Sequence, residues 1–381
     1  MNAYLLDFAR TPFQFARKGL FAALPPAELA AQLVRGLLGR QAFDPAELED
    51  VLLGCAYPEG EQGDNLARIV ALLAGLPQHV AGATINRFCG SSMTSIHAAA
   101  GSIATGAGEA FLCLGVESMS KVPQGGLHPS PSPALQQLRP ETYTPMGITA
   151  ENVAQQYSIS RELQEQFAVE SQAKTATAQS AGAFADELIP VQLPDGRLVT
   201  QDGCLRPATT PEGLAALKPA FAAEGTVTAG TSSPLTDGAA AVLVVSEAFL
   251  RRHHLTPLAQ LRAVAVAGVG PEVMGLGPIP ATTKALARAG LPLADIDVVE
   301  LNEAFAAQAL ACQQELGIGP DKLNLDGGAL ALGHPLPPEP ASRARPPACS
   351  GARAAATRWP PSASGAGRAL PPCLNAAKSF P

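Results

Sequence analysis

Cys89 is the residue of this chain best suited to covalent chemistry. It lies in Thr84-Ile85-Asn86-Arg87-Phe88-Cys89-Gly90-Ser91-Ser92, where an extended apolar stretch gives way to small polar residues. Met93, Ile96, Ala100 and Ile103 then recur at helical spacing. The pattern puts the thiol at a helix N-terminus, where unpaired N–H groups and the positive end of the helix dipole favour the nucleophilic thiolate. Gly90 and Ser91 leave room beside the sulfur for a bulky acyl group. The competing reading is a small buried hydrophobe, as most cysteines are. Turn, helix start and small neighbours together favour the nucleophile.

A thiolate nucleophile wants a base. His334 stands between Gly333 and Pro335, near the end of the run Gly327-Gly328-Ala329-Leu330-Ala331-Leu332-Gly333-His334-Pro335-Leu336, where the backbone is constrained and the imidazole can be held in one orientation. A lone histidine is otherwise read as a structural hydrogen-bond partner. His79, His97, His128, His253 and His254 receive no role. Asn302-Glu303-Ala304-Phe305-Ala306 follows an apolar run at the C-terminal end of a strand, where α/β sheets place ligand groups. Asn302 can aim its amide, directly or through water, at a developing oxyanion. Taken alone, the same segment reads as a helix cap with Phe305 in the core.

The elements that must position these residues alternate. A helix is expected over 26–38, closed by Gly39; a short buried strand at Val51-Leu52-Leu53-Gly54; and a helix near Asn65 to Leu76. Ala46-Glu47-Leu48-Glu49-Asp50-Val51-Leu52-Leu53 aligns without gaps to Ala294-Asp295-Ile296-Asp297-Val298-Val299-Glu300-Leu301, which points to a duplicated α/β unit with one copy in each half. Residues 118–234 are richer in turns, hold a helix at Arg161 to Ser180, and read as an insertion carrying ligand contacts. Ala239-Ala240-Ala241-Val242-Leu243-Val244-Val245 returns as a buried strand that rejoins the sheet of the first half. The expected division is 1–117 with 235–257 as the N-terminal half, 118–234 as the inserted loop domain, 258–336 as an incomplete C-terminal half, and 337–381 as a disordered Pro/Arg-rich tail.

Composition sets the bounds. With 381 residues, 47% of them hydrophobic, the chain can bury a substantial core, and its wealth of Ala, Gly, Leu and Val suits helices packed closely on a parallel sheet. A net charge of -7 argues against nucleic acid as a partner and leaves small phosphate-bearing ligands open. The N-terminus reaches charged residues too soon for a signal peptide, and no apolar run approaches the ~20 residues of a membrane span, so the expectation is a cytoplasmic protein. Seven widely spaced cysteines contain no Cys-x-x-Cys pair and indicate neither a disulfide framework nor a zinc site; no metal is expected.

Taken together, several segments resemble the thiolase family: Arg10-Thr11-Pro12, Asn86 to Ser92, Gly115-Val116-Glu117-Ser118-Met119-Ser120, Met146 to Glu151, Gly225 to Gly230, Asp237 to Ala241, Asn302 to Ala306, and Gly327 to Pro335 fall in the family's order. The match covers about residues 1–336. The run Thr228-Ala229-Gly230-Thr231-Ser232-Ser233 looks more like the degradative 3-ketoacyl-CoA thiolases of fatty-acid β-oxidation than the biosynthetic acetoacetyl-CoA enzymes. The resemblance implies a five-layered α/β/α/β/α fold, a homodimer or homotetramer, a β-oxidation multienzyme partner, and acyl-CoA with coenzyme A as substrates and no separate cofactor. By that pattern Cys89 takes the acyl group, His334 activates it, and Asn302 helps form an oxyanion hole. Arg206 would meet the nucleotide end of coenzyme A, and Met146, Phe221, Ala229 and Ser233 would line the pantetheine channel. Some bacterial relatives carry His where this chain has Pro145. The alternatives are a catalytically impaired chain that binds acyl-CoA without efficient turnover, and a condensing enzyme of ketoacyl synthase type, which the Asn302 and Gly-His-Pro motifs disfavour.

The family also uses a second cysteine, in a Cys-x-Gly loop near the C-terminus, to move protons, and this chain has none; Cys349 and Cys373 sit in the wrong context. Residues 337–381 instead hold ten prolines, the sole tryptophan, and six basic residues against one acidic. Joining the third base of each codon, from Arg358 onward, to the first two bases of the next, Trp359 to Ala369 permits Leu-Ala-Thr-Leu-Cys-Ile-Gly-Gly-Gly-Gln-Gly. In the same register Pro338 to Ala341 permits Gly-Ala-Ser and Ala354 to Thr357 permits Gly-Arg-Tyr. These agreements point to a shift of reading frame just after Leu336; a divergent tail is the other reading, and would leave the final helix and closing strands of the second half missing. Genomic DNA resequenced across the codons for Leu336 to Pro381 is expected to show one added or missing base that restores Cys-Ile-Gly. Confirmation of the present codons would remove the shift.

Overall fold

A computed structural model of the protein describes residues 2–335 and the backbone of Cys373–Asn375. The codon reading of the tail and the disorder expected for residues 337–381 lie outside the described residues, apart from that one strand.

Seven segments define the frame of the first half, and two strands return to it. Strand β1 (Ala3–Arg10) is followed by helix α1 (Pro26–Leu38), β2 (Asp50–Gly54), α2 (Leu66–Leu73), β3 (Ala81–Ile85), α3 (Ser91–Thr105) and β4 (Ala110–Ser118). After the insertion come β5 (Thr236–Ser246) and β6 (Ala259–Ala263). The main sheet runs β6-β1-β5-β4-β2-β3, with Cys373–Asn375 outside β6 and Gln14–Phe15 on β5. β2 is parallel to both β3 and β4, whereas β5 is antiparallel to β4 and β1. The stretch expected to rejoin the first sheet thus sits at its centre.

Period-two alternation splits each strand between two cores. Leu6, Val51, Leu53, Leu112, Leu114, Leu243 and Val245 join Leu29, Leu33 and Leu37 of α1 and Leu66 and Val70 of α2 on one face. Leu5, Phe8, Leu52, Phe111, Cys113, Val242 and Val244 join Met93, Ile96, Ala99 and Ile103 of α3 on the other. With both faces covered, the strands read as continuous apolar runs, and β4 and β5 are buried at every residue. Helix α1 carries Pro at its start and ends at Gly39, as expected from the sequence.

Within the insertion lie helices α4 (Met146–Gln156) and α5 (Arg161–Ser180), the latter capped by Ser160, whose Oγ accepts from Leu163 N. The fully buried Arg10 ties β1 to this region: its Nε donates to Glu187 Oε1 at 2.7 Å and its Nη2 to Asp202 Oδ2 at 2.8 Å. The second half adds α6 (Ala306–Leu316) and the short α7 (Ala329–Leu332). Its duplicated segment repeats the local order of the first: a 3-10 turn at Leu293–Asp295 matches one at Pro45–Glu47. The extended run that follows differs. Val298 to Leu301 makes only the parallel bridge Val299–Leu323 among the described residues, where β2 has a ladder on each side.

Gly54, the last residue of β2, lets the start of α3 lie directly on the sheet, since a Cβ there would stand 2.2 Å from Ser92 N and 2.4 Å from Ser91 C. Those atoms are backbone and have no rotamer into which to retreat. Gly54→Ala is therefore expected to destabilise the protein by roughly 3 kcal/mol, the upper end for overpacking, seen as a lower midpoint in thermal unfolding. An unchanged midpoint would mean that α3 is free to shift.

Candidate active site

Strand β3 delivers Cys89 through a tight turn. Phe88 has φ +47, a left-handed conformation uncommon for a bulky residue, and three local bonds hold it. Asn86 Oδ1 accepts from Phe88 N at 2.8 Å, Ser91 N donates to Phe88 O at 2.9 Å, and Ser91 Oγ accepts from Arg87 N at 2.8 Å. Gly90 is the N-cap of α3, so Cys89 lies one residue before the cap, slightly outside the helix start that the sequence indicated. The thiol is buried and packs with Ala16, Ala56, Tyr57, Met119 and Val122, with Phe88 beside them.

His334 comes from the far end of the described chain. Gly333 precedes it at φ +103, where a Cβ would stand 2.8 Å from Thr236 Oγ1. His334 N donates to that same Oγ1 at 3.0 Å, and Leu235 and His334 form a parallel bridge, so the imidazole is fixed against the start of β5. Its Nε2 lies 3.2 Å from Asn302 Nδ2. An amide N–H can donate there only to a bare ring nitrogen, which puts the ring proton on Nδ1. His334 Nδ1 and Asn302 Oδ1 have no hydrogen-bond partner among the described residues. Burial pushes the histidine down to about 4, so the imidazole is neutral at pH 7 and able to take a proton.

Glu303 sets the relation between Asn302 and His334. Its buried carboxylate accepts from Ser171 Oγ of α5 at 2.6 Å, Asn324 Nδ2 at 2.8 Å and Leu330 N of α7 at 3.2 Å. Asn324 also exchanges two bonds of 2.8 Å with the Leu301 backbone. Burial raises the carboxyl group above its ordinary value, and these donors oppose the rise.

Cys89 and His334 border one cavity of about 1380 Å³, and Asn302 stands behind the imidazole. Arg206, Met146, Phe221, Ala229 and Ser233 border it too, as does Pro145. Arg206 stacks over Phe15 at 5.9 Å, Phe221 meets Phe305 edge to face at 5.8 Å, and Ser233 N donates to Ala304 O at 3.0 Å. All eight residues singled out in the sequence thus gather at one place. Tyr57, Phe88, Met119 and Gln308 also border the cavity and were not singled out. Tyr57 follows β2 at its C-terminal end, the one sequence signal that pointed toward a site; Met119 and Phe88 read as core.

A buried thiol and a neutral imidazole facing one cavity on a two-faced α/β sheet define a cysteine–histidine site of α/β type. Residues 3–248 match the thiolase N-terminal domain and residues 255–358 the thiolase C-terminal domain. The chain is 46% identical over 344 residues to a 3-ketoacyl-CoA thiolase of Saccharophagus degradans, covering 88% of each. It is 45% identical over 347 residues to one of Bacillus subtilis, covering 88% of this chain and 89% of that one. Among solved structures, human mitochondrial 3-ketoacyl-CoA thiolase in complex with CoA superposes with a TM-score of 0.86 at 33% identity, over 99% of this chain and 98% of that one. The Bacillus anthracis acetyl-CoA acetyltransferase gives 0.85 at 31%, over 99% of both chains. The chain belongs to the thiolase family, and its fold is the thiolase fold. No helix among the described residues is long and apolar enough to cross a membrane.

The buried imidazole makes stability depend on pH. Its folded value of about 4 lies below the 6.5 of a free histidine, so between them the unfolded chain binds a proton that the folded chain does not. This contribution to stability is complete above pH 6.5 and is lost as pH falls toward 4. Urea unfolding across that window should show wild type losing up to ~1.4 kcal/mol per pH unit more than His334→Asn. Equal slopes in the two proteins would mean that the imidazole is not held neutral.

Proposed function

We propose that the protein is an acyl-CoA C-acyltransferase that cleaves 3-ketoacyl-CoA with coenzyme A, or runs the reverse Claisen condensation, through an acyl-Cys89 intermediate. The single observation that carries this is the shared cavity of Cys89 and His334 with Asn302 bonded to the imidazole. Cys89 attacks the carbonyl carbon, His334 takes the thiol proton on Nε2 as the Asn302 amide gives up its bond there, and the released amide supports the charge that develops on oxygen. A neutral imidazole suits the base, because a ring already protonated has no site for the proton. Arg206, half-buried over Phe15, supports a reading in which the nucleotide end of coenzyme A lies at that side of the cavity. Met146, Phe221, Ala229 and Ser233 then line the path of the pantetheine arm. Coenzyme A enters as a substrate, and the reaction uses no separate cofactor.

The same proposal includes the cytoplasm as the compartment, a homodimer or homotetramer, and a β-oxidation multienzyme partner. Support for the oligomer comes from β3, an edge strand of the main sheet whose residues are half-buried to exposed. A second copy extending that edge would cover it.

The first half-reaction can be tested without the second cysteine. Incubation with acetyl-CoA should add one acetyl group to the protein, located on Cys89 by peptide mass spectrometry, and Cys89→Ala should abolish it. His334→Ala should slow labelling by about 10²- to 10⁴-fold and Asn302→Ala by about 10²- to 10³-fold. Persistence of acyl transfer in Cys89→Ala would remove Cys89 from the mechanism.

A further inference from the structure

Glu117, near the end of β4, is a buried ionisable group that no step above employs. Its carboxylate accepts from Ala56 N at 2.7 Å, Tyr57 N at 3.3 Å and Gln62 Nε2 at 2.7 Å, and the Cys55 thiol lies 3.7 Å away. Gln62 closes the arrangement: its Nε2 also donates to Tyr57 O at 2.8 Å, and its Oε1 accepts from Ser118 N at 2.6 Å. Every one of these partners is neutral. Burial pushes the carboxyl group up to about 7 while the donors pull it down. A carboxylate held in such a place carries a desolvation cost that its hydrogen bonds must offset. Geometrically, it clamps the peptide groups of Ala56 and Tyr57 just beyond β2.

That clamped backbone forms part of the cavity beside Cys89. Ala56 and Tyr57 both border the cavity, and Tyr57 packs in the same small cluster as Cys89. Its ring stands edge to face with Phe88 at 5.8 Å, and Phe88 is itself fixed by the turn that delivers Cys89. The phenol is pushed up to about 12, mainly by burial. Two locked aromatic rings beside the nucleophile form a wall, and a close-packed wall yields little to a longer ligand.

We propose that Glu117 is a positioning residue that locks the Ala56–Tyr57 backbone, and that Tyr57, held in this way, limits the length of the acyl chain that Cys89 accepts. The proposal rests on the acyl-Cys89 reading. In the step concerned, the Cys89 sulfur forms a bond to the thioester carbonyl carbon and the bond from that carbon to the coenzyme A sulfur breaks. The thiol proton passes through His334 to the departing coenzyme A thiolate.

The test is the rate of Cys89 labelling by acetyl-CoA and by octanoyl-CoA, followed by intact-protein mass spectrometry, in wild type and four variants. Tyr57→Ala should raise the octanoyl-to-acetyl ratio by about 10-fold or more, the scale on which a hydrophobic pocket discriminates chain length. Tyr57→Phe, which keeps the ring, should retain the wild-type ratio. Glu117→Gln puts an amide N–H2 among backbone donors and should move the ratio in the same direction as Tyr57→Ala, by less. Gln62→Ala, which removes one donor and the link to Tyr57 O, gives a second reading should Glu117→Gln fail to fold. A merely structural role would slow both labels equally, so an unchanged ratio in Tyr57→Ala, or in both clamp variants, overturns the proposal. Absence of labelling in wild type by either probe would overturn the acyl-Cys89 reading itself, and this inference with it.

Discussion

The bonds of the Glu303 carboxylate hold the second side of the site together. The segment after Leu301, the Asn324 turn, α5 and α7 come from separate parts of the chain, and all meet at those two oxygens. A Cβ on Gly328 would stand 2.4 Å from the carboxylate carbon, so the glycine-rich run before His334 exists in part to let the backbone approach this group. Were the carboxylate lost, three buried donors would lose their acceptor at a cost of about 1–3 kcal/mol each, and the Asn302–His334 spacing would lose its anchor. Glu117 does the corresponding work on the Cys89 side. Each half of the molecule thus braces one of the two proposed reacting groups with an acid that faces no cation in its hydrogen bonds.

Much of the frame was legible because it is locally encoded. Helix α5 runs over the residues its sequence indicates, since Ser160 caps it and the pattern is long; α1 is bounded by Pro and Gly, and β5 is an unbroken apolar run. The residues proposed to react stood out for a similar reason: Gly and small polar residues follow Cys89, and Gly and Pro flank His334, which serves no ordinary core. The rest depends on partners remote in sequence. Val298 to Leu301 carries the same pattern as β2, yet pairing decides whether a run becomes a ladder, and this one finds a single bridge. Glu117, Glu303 and Arg10 read as surface residues by type; only the contacts show that they are buried. Tyr57 hides among core residues because a cavity wall and a core have the same composition.

Electrostatically, the site follows from where water is kept out. Desolvation raises Glu117 and Glu303 and lowers His334, pushing all three toward their neutral forms. The acids are opposed by fixed donors, whereas His334 has one amide neighbour and an unpartnered Nδ1. That contrast separates the two acids, held by several donors, from the imidazole proposed to react.

The place of His334 also bears on how the protein is made. Thr236 and Leu235, at the start of the central strand, receive His334 across nearly a hundred residues of chain, while Cys89 has long since left the ribosome. During synthesis the sheet has β1 to β5 in place once β5 emerges, with β6 and Cys373–Asn375 still to join its far edge, and the thiol then waits beside an unfinished wall. The proposed base therefore joins late, with the docking of a short glycine-flanked segment onto a surface already built, so under the acyl-Cys89 proposal a nascent chain carries its thiol for most of its growth without the imidazole that would activate it.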